Sequence, residues 1–319
     1  MPTLNANTSC LNNTSKSNAA IDLSVVIPSY DSQDTLARCL NGIVRQQGNV
    51  RCEVIVVDCS ADDQVAGIVA KYPMVRLIRE EARFAPGIGR NIGVRDASGR
   101  LILFVDADVI VEQGAIEQAW RSYQSGCHVF SGALTMGHLP GFRWLAALEH
   151  YYFNHQYQPG RQAQRRQNLS SALMGIDREL FVHAGGFADI PRMQDTAFTE
   201  RLARDGARLF FLPLVMGQQV QTSSVRALIR KIFINGNNVF FIRYGQRATP
   251  LRKLLLAVAL PLMTVAKMTR INLRNLYYHN PKGKLIALVL SPAMYGCGVC
   301  WMLGFYNGIL FGRGISKQR

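Results

Sequence analysis

The sequence predicts an α/β protein, a mostly parallel sheet flanked by helices, with amphipathic and hydrophobic helices following it. Three observations lead there. From residue 21 onward short β-branched runs alternate with amphipathic stretches, the pattern of a right-handed parallel sheet with helices on both faces. The apolar run Leu101, Ile102, Leu103, Phe104, Val105 ends in Asp106 and Asp108, which puts two carboxylates at the carboxyl end of a strand buried on both faces, where open α/β sheets bind ligands. Charge is also divided unevenly: residues 1–200 carry 18 Lys+Arg against 20 Asp+Glu, and residues 201–319 carry 18 against one, Asp205.

In chain order, residues 1–20 are rich in Asn, Ser and Thr and lack an apolar stretch, which predicts a disordered tail. LSVVIPSY (residues 23–30) reads as a strand stopped by Pro28, with Tyr30 and Asp31 in the loop beyond. Residues 34–47 predict a helix that turns Leu36, Leu40, Ile43 and Val44 to one face, with Asp34 as its N-cap. Residues 53–57 are a second strand with Asp58 just past its end, residues 64–71 a helix, and residues 75–78 a third strand. In residues 83–99, RFAPGIGRNIGVRDASG, Gly87 and Gly89 fit either a backbone that approaches a ligand or a helix packed tightly on the sheet. Arg90 and Asn91 there bring donors suited to phosphate, ribose or a base edge.

Along an extended backbone alternate residues share a face, so Asp106 and Asp108 point the same way across Ala107 and repel each other. A divalent cation with a diphosphate relieves that repulsion. A bare Asp-X-Asp also fits a solvated turn. Residues 112–125 then predict a helix and 129–134 a strand. Residues 137–168 lose periodicity and are rich in aromatics and histidine, as a packed insertion or a site for a sugar or lipid would be. Residues 171–176 resume an apolar run, 178–183 suit a short helix, and Asp195 opens a helix over 196–205. In that position Asp195 serves as an N-cap or as a carboxylate held ionised and ready to accept a proton.

A length of 319 residues with 48% apolar content supplies a sizeable core and excludes a disordered protein. The seven cysteines are scattered and odd in number, so a reducing compartment fits better than a disulfide framework. Cys297 and Cys300 form a lone CxxC in an uncharged apolar run and read as small buried residues, not a zinc site. The basic half calls for an anionic partner. Long uncharged runs among the cations fit lipid headgroups, and with no recognised nucleic-acid motif the reading is no nucleic acid.

Four ordered motifs, SVVIPSYDSQDTLARCL, EVIVVDCSADD, GIGRNIGVRDASGRLILFVDADVIVE and GGFADIPRMQDTAFTERLARDGARLFFLP, make residues 22–225 resemble the family 2 glycosyltransferases. These are inverting enzymes with the nucleotide-sugar-binding fold called GT-A. The resemblance implies that Pro28, Tyr30 and Asp58, with Arg90, hold the nucleotide, and that Asp106 lies near the ribose and diphosphate. It implies Asp108, with Asp106, as ligands of Mg²⁺ or Mn²⁺, and Asp195 as the catalytic base. The chain departs from the family at Asp31, where Asn is frequent, and at Gln194-Asp195, where Glu-Asp is frequent. The region after the last core strand, Gly217-Gln218-Gln219-Val220-Gln221, lacks a frequent His, which implies a weaker metal site or a ligand from elsewhere. The Gln-X-X-Arg-Trp motif of processive synthases is absent, which favours transfer of one sugar at a time.

The expected organisation is a tail (1–20), a GT-A domain (21–222) and a basic, membrane-associated region (223–319). Residues 224–247 mix cations and large apolar side chains as a helix lying in a membrane interface does. The uncharged run 254–266 falls short of the about 20 residues that a crossing needs, so it is expected in the interface or re-entrant. The uncharged run 285–312 contains Pro292 and Gly296, Gly298, Gly304 and Gly308. Its flanks, Lys282 and Lys284 before and Arg313, Lys317 and Arg319 after, are basic and favour a re-entrant hairpin with both ends in the cytoplasm. The expectation is thus a membrane-associated transferase with a cytoplasmic catalytic domain. It would pass one sugar from a UDP- or GDP-type donor to a lipid-linked or membrane-proximal acceptor. The alternative is a catalytically silent nucleotide-sugar-binding or membrane scaffold.

Overall fold

The computed structural model describes residues 21–46, 48–137, 143–221, 224–245 and 248–311. The expected tail of residues 1–20 and the basic residues Arg313, Lys317 and Arg319 lie outside them. The chain opens with β1 (Leu23–Ser29), α1 (Leu36–Val44), β2 (Cys52–Asp58), α2 (Gln64–Val69), β3 (Val75–Arg79), α3 (Pro86–Asp96) and β4 (Leu101–Val105). These strands lie in the order β3-β2-β1-β4, all parallel. Alternation divides their side chains between two cores: Val25, Ile27, Leu101 and Leu103 join one, Val26, Ile102 and Phe104 the other.

Two local expectations fail here. Pro28 stays within β1, paired with Val57, because β4 partners β1 only as far as Val26 and the missing Pro28 N–H therefore breaks no bond on that side. Thr35, not Asp34, caps α1, and without a side-chain hydrogen bond. The glycine-rich α3 packs directly on the sheet: a Cβ on Gly93 would lie 2.4 Å from Val26 Cγ1.

Beyond β4 come β5 (Val109–Val111), α4 (Ala115–Gln124), β6 (Val129–Met136), α5 (Trp144–Phe153), β7 (Gln164–Arg166), β8 (Leu173–Asp177), α6 (Arg178–His183), α7 (Gln194–Arg204) and β9 (Leu209–Gln219). The sheet continues β4-β8-β6-β9-β5, with β7 on β9 and both parallel and antiparallel pairs. Within the aromatic stretch expected to be irregular, α5 is a regular helix. Its periodicity is hidden because every residue from Ala146 to Tyr152 is buried, so no polar face marks it.

Three long helices complete the chain: α8 (Val225–Arg243), α9 (Pro250–Tyr278) and α10 (Pro281–Phe311). With α5 they form a third core that includes Tyr151, Tyr152, Phe240, Met268, Trp301 and Phe305. Here α8 is no isolated interfacial helix, since Leu228, Ile232, Gly236, Val239 and Phe240 are buried in this bundle. The expected hairpin within residues 285–312 is also absent, because α10 runs straight through Pro292. Its glycines mark contact, not breaks: a Cβ on Gly304 would lie 2.0 Å from the Phe233 carbonyl oxygen, and one on Gly236 2.0 Å from that of Trp301. Nor is 254–266 a short segment, since α9 carries it within 29 residues. Both α9 and α10 are long and apolar enough, by length and composition, to cross a membrane.

Candidate active site

A cleft of about 1040 Å³ lies between the sheet and the three C-terminal helices. Pro28, Tyr30, Arg90, Asp106, Asp108 and Asp195, scattered over 168 positions of sequence, all line it. Asp58 does not. It is fully buried at the end of β2, where Oδ1 accepts from Ser60 Oγ at 2.7 Å and Ser60 Oγ accepts from the Asp31 N–H at 2.9 Å. Asp58 thereby braces the Tyr30-Asp31 loop from behind, and its Oδ2 has no hydrogen-bond partner among the described residues.

The strand ends aim the first pair of carboxylates. After β4 the chain turns, with the Val109 N–H donating to the Asp106 carbonyl at 2.9 Å, and leaves both side chains on the cleft. Arg90, 2% exposed on α3, donates through Nη2 to Asp106 Oδ1, while its Nε and Nη1 have no partner among the described residues. Buried guanidinium N–H groups left open beside a cleft are suited to phosphate or ribose oxygens. Asn91, expected to be a similar donor, is used otherwise. It donates to the Phe187 carbonyl at 2.8 Å and accepts from the Phe187 N–H at 2.9 Å.

That clamp positions Asp195. Phe187 packs with Phe104, Phe181 and Phe198 at centroid distances of 4.9–5.4 Å, fixing the start of α7 beside the end of β4. Met193, just before α7, has φ 64, and Asp31 has φ 47. They are the non-glycine residues with positive φ among those described, and both line the cleft, where strained backbone concentrates. Asp195 is not the N-cap but lies inside the first turn of α7, where Oδ2 accepts from the Ser171 N–H at 3.1 Å and Oδ1 from the Thr196 N–H at 2.7 Å. Burial raises its pKa, opposed by these two N–H groups and by Arg90. The result is a fixed carboxylate more basic than one in water.

Burial, followed by repulsion from Asp106, pushes the Asp108 carboxyl up to about 7, against the amide of Gln219. Gln219 Nε2 donates to Asp108 Oδ1 at 3.2 Å, and its Oε1 accepts from Asn154 Nδ2 at 2.8 Å and Gln221 Nε2 at 3.0 Å. Asn154 in turn meets His150 Nδ1 at 3.1 Å. The sequence shows only that a His is missing from this strand end. The network that occupies its surroundings is not legible there, because its members come from two distant places, the C-terminal end of α5 and the end of β9. Sequence reasoning also missed Arg83: its guanidinium stacks on the Tyr30 ring at 3.8 Å, and only its place as a cation in a motif loop hints at the role.

A divalent cation fits this donor set. The described residues contain no group of three or more His, Cys, Asp or Glu that could hold a metal. The two carboxylates leave coordination positions for diphosphate oxygens and water, as hard cations require. Burial and the Asp106 charge disfavour the ionised form of Asp108, and a bound cation would favour it.

Comparison with known proteins follows the same residues. The family described as Glycosyl transferase family 2 matches residues 24–183. Succinoglycan biosynthesis protein ExoO of Rhizobium meliloti is 42% identical over 89 residues, 27% of this chain and 25% of ExoO. Poly(ribitol-phosphate) beta-N-acetylglucosaminyltransferase TarS of Staphylococcus aureus is 32% identical over 101 residues, 30% of this chain and 18% of TarS. The matches thus span a quarter or less of these relatives. Among solved structures, mannosyltransferase PcManGT from Pyrobaculum calidifontis, in complex with GDP-Man and Mn²⁺, aligns with TM-score 0.59 at 15% identity, covering 92% of this chain and 88% of that one. TarS 1-349 of S. aureus in complex with UDP-GlcNAc aligns with TM-score 0.51 at 17% identity, covering 90% and 91%. At such identities the likeness speaks to fold alone.

Proposed function

The chain belongs to glycosyl transferase family 2, and we propose that it moves one sugar from a UDP- or GDP-type donor to a lipid-linked or membrane-proximal hydroxyl, with inversion. The observation that carries this reading is the convergence of Asp106, Asp108 and Asp195 on one cleft, with Arg90 bound to Asp106 and open N–H groups beside it. Structural neighbours were solved with Mn²⁺ and with UDP-GlcNAc or GDP-Man, which supports a nucleotide sugar and a divalent cation here.

In this reading Pro28 and Tyr30, with Arg83 stacked on the Tyr30 ring, hold the base, and Asp58 holds their loop. Arg90 donates to ribose or diphosphate oxygens, and Asp106 accepts from the ribose hydroxyls. Asp195 Oδ accepts the proton of the acceptor hydroxyl as its oxygen bonds to the anomeric carbon and the bond to the diphosphate oxygen breaks. One displacement inverts the centre without an enzyme nucleophile. A divalent cation at Asp106 and Asp108 would neutralise charge on the leaving diphosphate.

The exposed apolar side chains of α9 and α10, among them Val258, Leu262, Val289 and Val299, support contact with a bilayer. Because α9 also carries Lys267, Arg270 and Arg274 on the cleft, lying in the interface suits it better than a full crossing, where each such charge costs about 3 kcal/mol at the centre. No disulfide joins the cysteines at 39, 52, 59, 127, 297 and 300 among the described residues, which supports a cytoplasmic catalytic domain.

The test is release of nucleoside diphosphate from a panel of nucleotide sugars by detergent-solubilised protein with native lipid extract, with and without Mn²⁺ or Mg²⁺. Metal-dependent release that vanishes in Asp108→Ala and Asp195→Asn is the expected result. Metal-dependent nucleotide binding with no release in any lipid extract would instead favour a silent scaffold.

A further inference from the structure

The cleft wall contributed by α9 has a chemistry that the donor does not account for. Met263, Ala266, Lys267, Arg270 and Arg274 line the cleft at helical spacing, so they share one face of α9. A different face buries Leu260, Thr264, Met268 and Asn275, and a third exposes Leu254, Val258, Leu262 and Val265. Arg274 lies within electrostatic range of Arg161, Arg166 and Arg270, all cations. No carboxylate forms an ion pair with Arg161, Arg166, Lys267, Arg270 or Arg274 among the described residues. Arg161 is buried over the Tyr278 ring at 4.1 Å with Nε and Nη1 lacking hydrogen-bond partners. The field reaches His155 on the same cleft, whose pKa is pushed down to about 3 by burial, with Arg274, Lys267 and Arg166 acting in the same direction.

Several like charges gathered without a counter-charge raise the energy of the empty site, and a multiply charged anion lowers it. Phosphate and diphosphate offer several arginine forks at once more oxygens and more charge than the two oxygens and one charge of a single carboxylate. Next to the cations the lining turns apolar, with Val239, Trp301 and Phe305 beside Met263, and Lys267 Nζ sits 3.7 Å from the centre of the Trp301 ring. Charge and apolar surface lie side by side in the cleft that also contains Asp195.

We propose that this wall binds the acceptor as a phosphorylated amphiphile, its phosphate or diphosphate held by Lys267, Arg270 and Arg274 and its apolar chain laid along Met263 and Trp301. This rests on the transferase reading above and specifies the acceptor's chemistry. The donor diphosphate keeps its own partners at Arg90 and at the divalent cation that the strand-end aspartates would hold.

Binding of three probes to the full-length protein in detergent tests it: dodecyl phosphate, dodecanol and inorganic pyrophosphate. The expected result is at least tenfold tighter binding of dodecyl phosphate than of either other probe. The paired substitution Arg270→Gln with Arg274→Gln should erase that preference, and Arg270→Lys with Arg274→Lys should largely retain it. Binding of UDP or GDP with Mn²⁺, measured on the same samples, should stay within twofold and so report an intact fold. Equal binding of dodecyl phosphate and dodecanol overturns the proposal, as does a glutamine pair that weakens nucleotide instead of dodecyl phosphate. Pyrophosphate binding as tightly as dodecyl phosphate overturns the amphiphile and leaves a soluble phosphate as the occupant. A dodecyl phosphate preference in a protein that releases no nucleoside diphosphate from any donor supports the subsite while removing the transferase reading.

Discussion

The sheet region presents carboxylates to the cleft from the ends of buried strands and the first turn of α7, whereas α9 presents cations from the side of a helix. The two regions also reach close packing differently. Strands β1 to β4 fill both faces with branched side chains by simple alternation, while α8 and α10 touch backbone to backbone where Gly236 and Gly304 omit side chains. A strand end fixes a functional group through the register of the whole sheet, which tolerates little movement. A helix face displays a stripe of like groups whose individual members are less constrained. Chemistry that needs sub-ångström placement accordingly belongs at the strand ends, and recognition of a charged, flexible molecule belongs on the helix.

The sharpest break in that contrast is Asp195→Asn, which keeps the size of the side chain and removes the proton acceptor. Transfer should fall about 10²- to 10⁴-fold with nucleotide binding within twofold, as read by product formation beside a nucleotide titration. Chelation by EDTA should lower nucleoside diphosphate release more than tenfold and Mn²⁺ should restore it, with the melting temperature of the metal-free protein showing that the helical region stays folded. On the helical side, Gly304→Val puts side-chain atoms where the Phe233 carbonyl now sits and should cost about 3 kcal/mol in denaturant unfolding.

Acid probes the junction between the regions. Burial, with His279 acting in the same direction, pushes the His150 pKa down to about 3, from an ordinary value of 6.5. The unfolded chain therefore binds a proton that the folded chain refuses, so stability falls as pH drops below about 6.5 and continues to fall toward 3. Between pH 7 and 5 the melting temperature of His150→Gln should fall less than that of the parent, with His155 and His279 adding dependence of the same sign and Asp108, raised by burial, opposing it. The smallest effect is expected at Gly296, on the same helix as Gly304 but with open space, nothing within 4 Å, where a Cβ would stand. There Gly296→Ala should stabilise by up to about 1 kcal/mol through helix propensity alone.

The sequence by itself determined the strand and helix order through residue 105 apart from α3, which its glycines left open, together with the Asp106 and Asp108 pair at a strand end and Asp195 at the start of a helix. Local periodicity and strand termini are written in neighbouring residues, and β4 and α7 could be placed from them. Tertiary structure alone decided the rest, because contacts between distant segments leave no local pattern. Pro28 could remain in a strand only because of where β4 ends, and α5 was hidden by being buried all round. The glycines of α10 looked like breaks until α8 lay against them. Gln219 reached Asp108, and Asn91 clamped Phe187, across 111 and 96 positions of sequence. The unpaired cations of α9 acquired a meaning only when folding turned them toward the cleft that holds the aspartates.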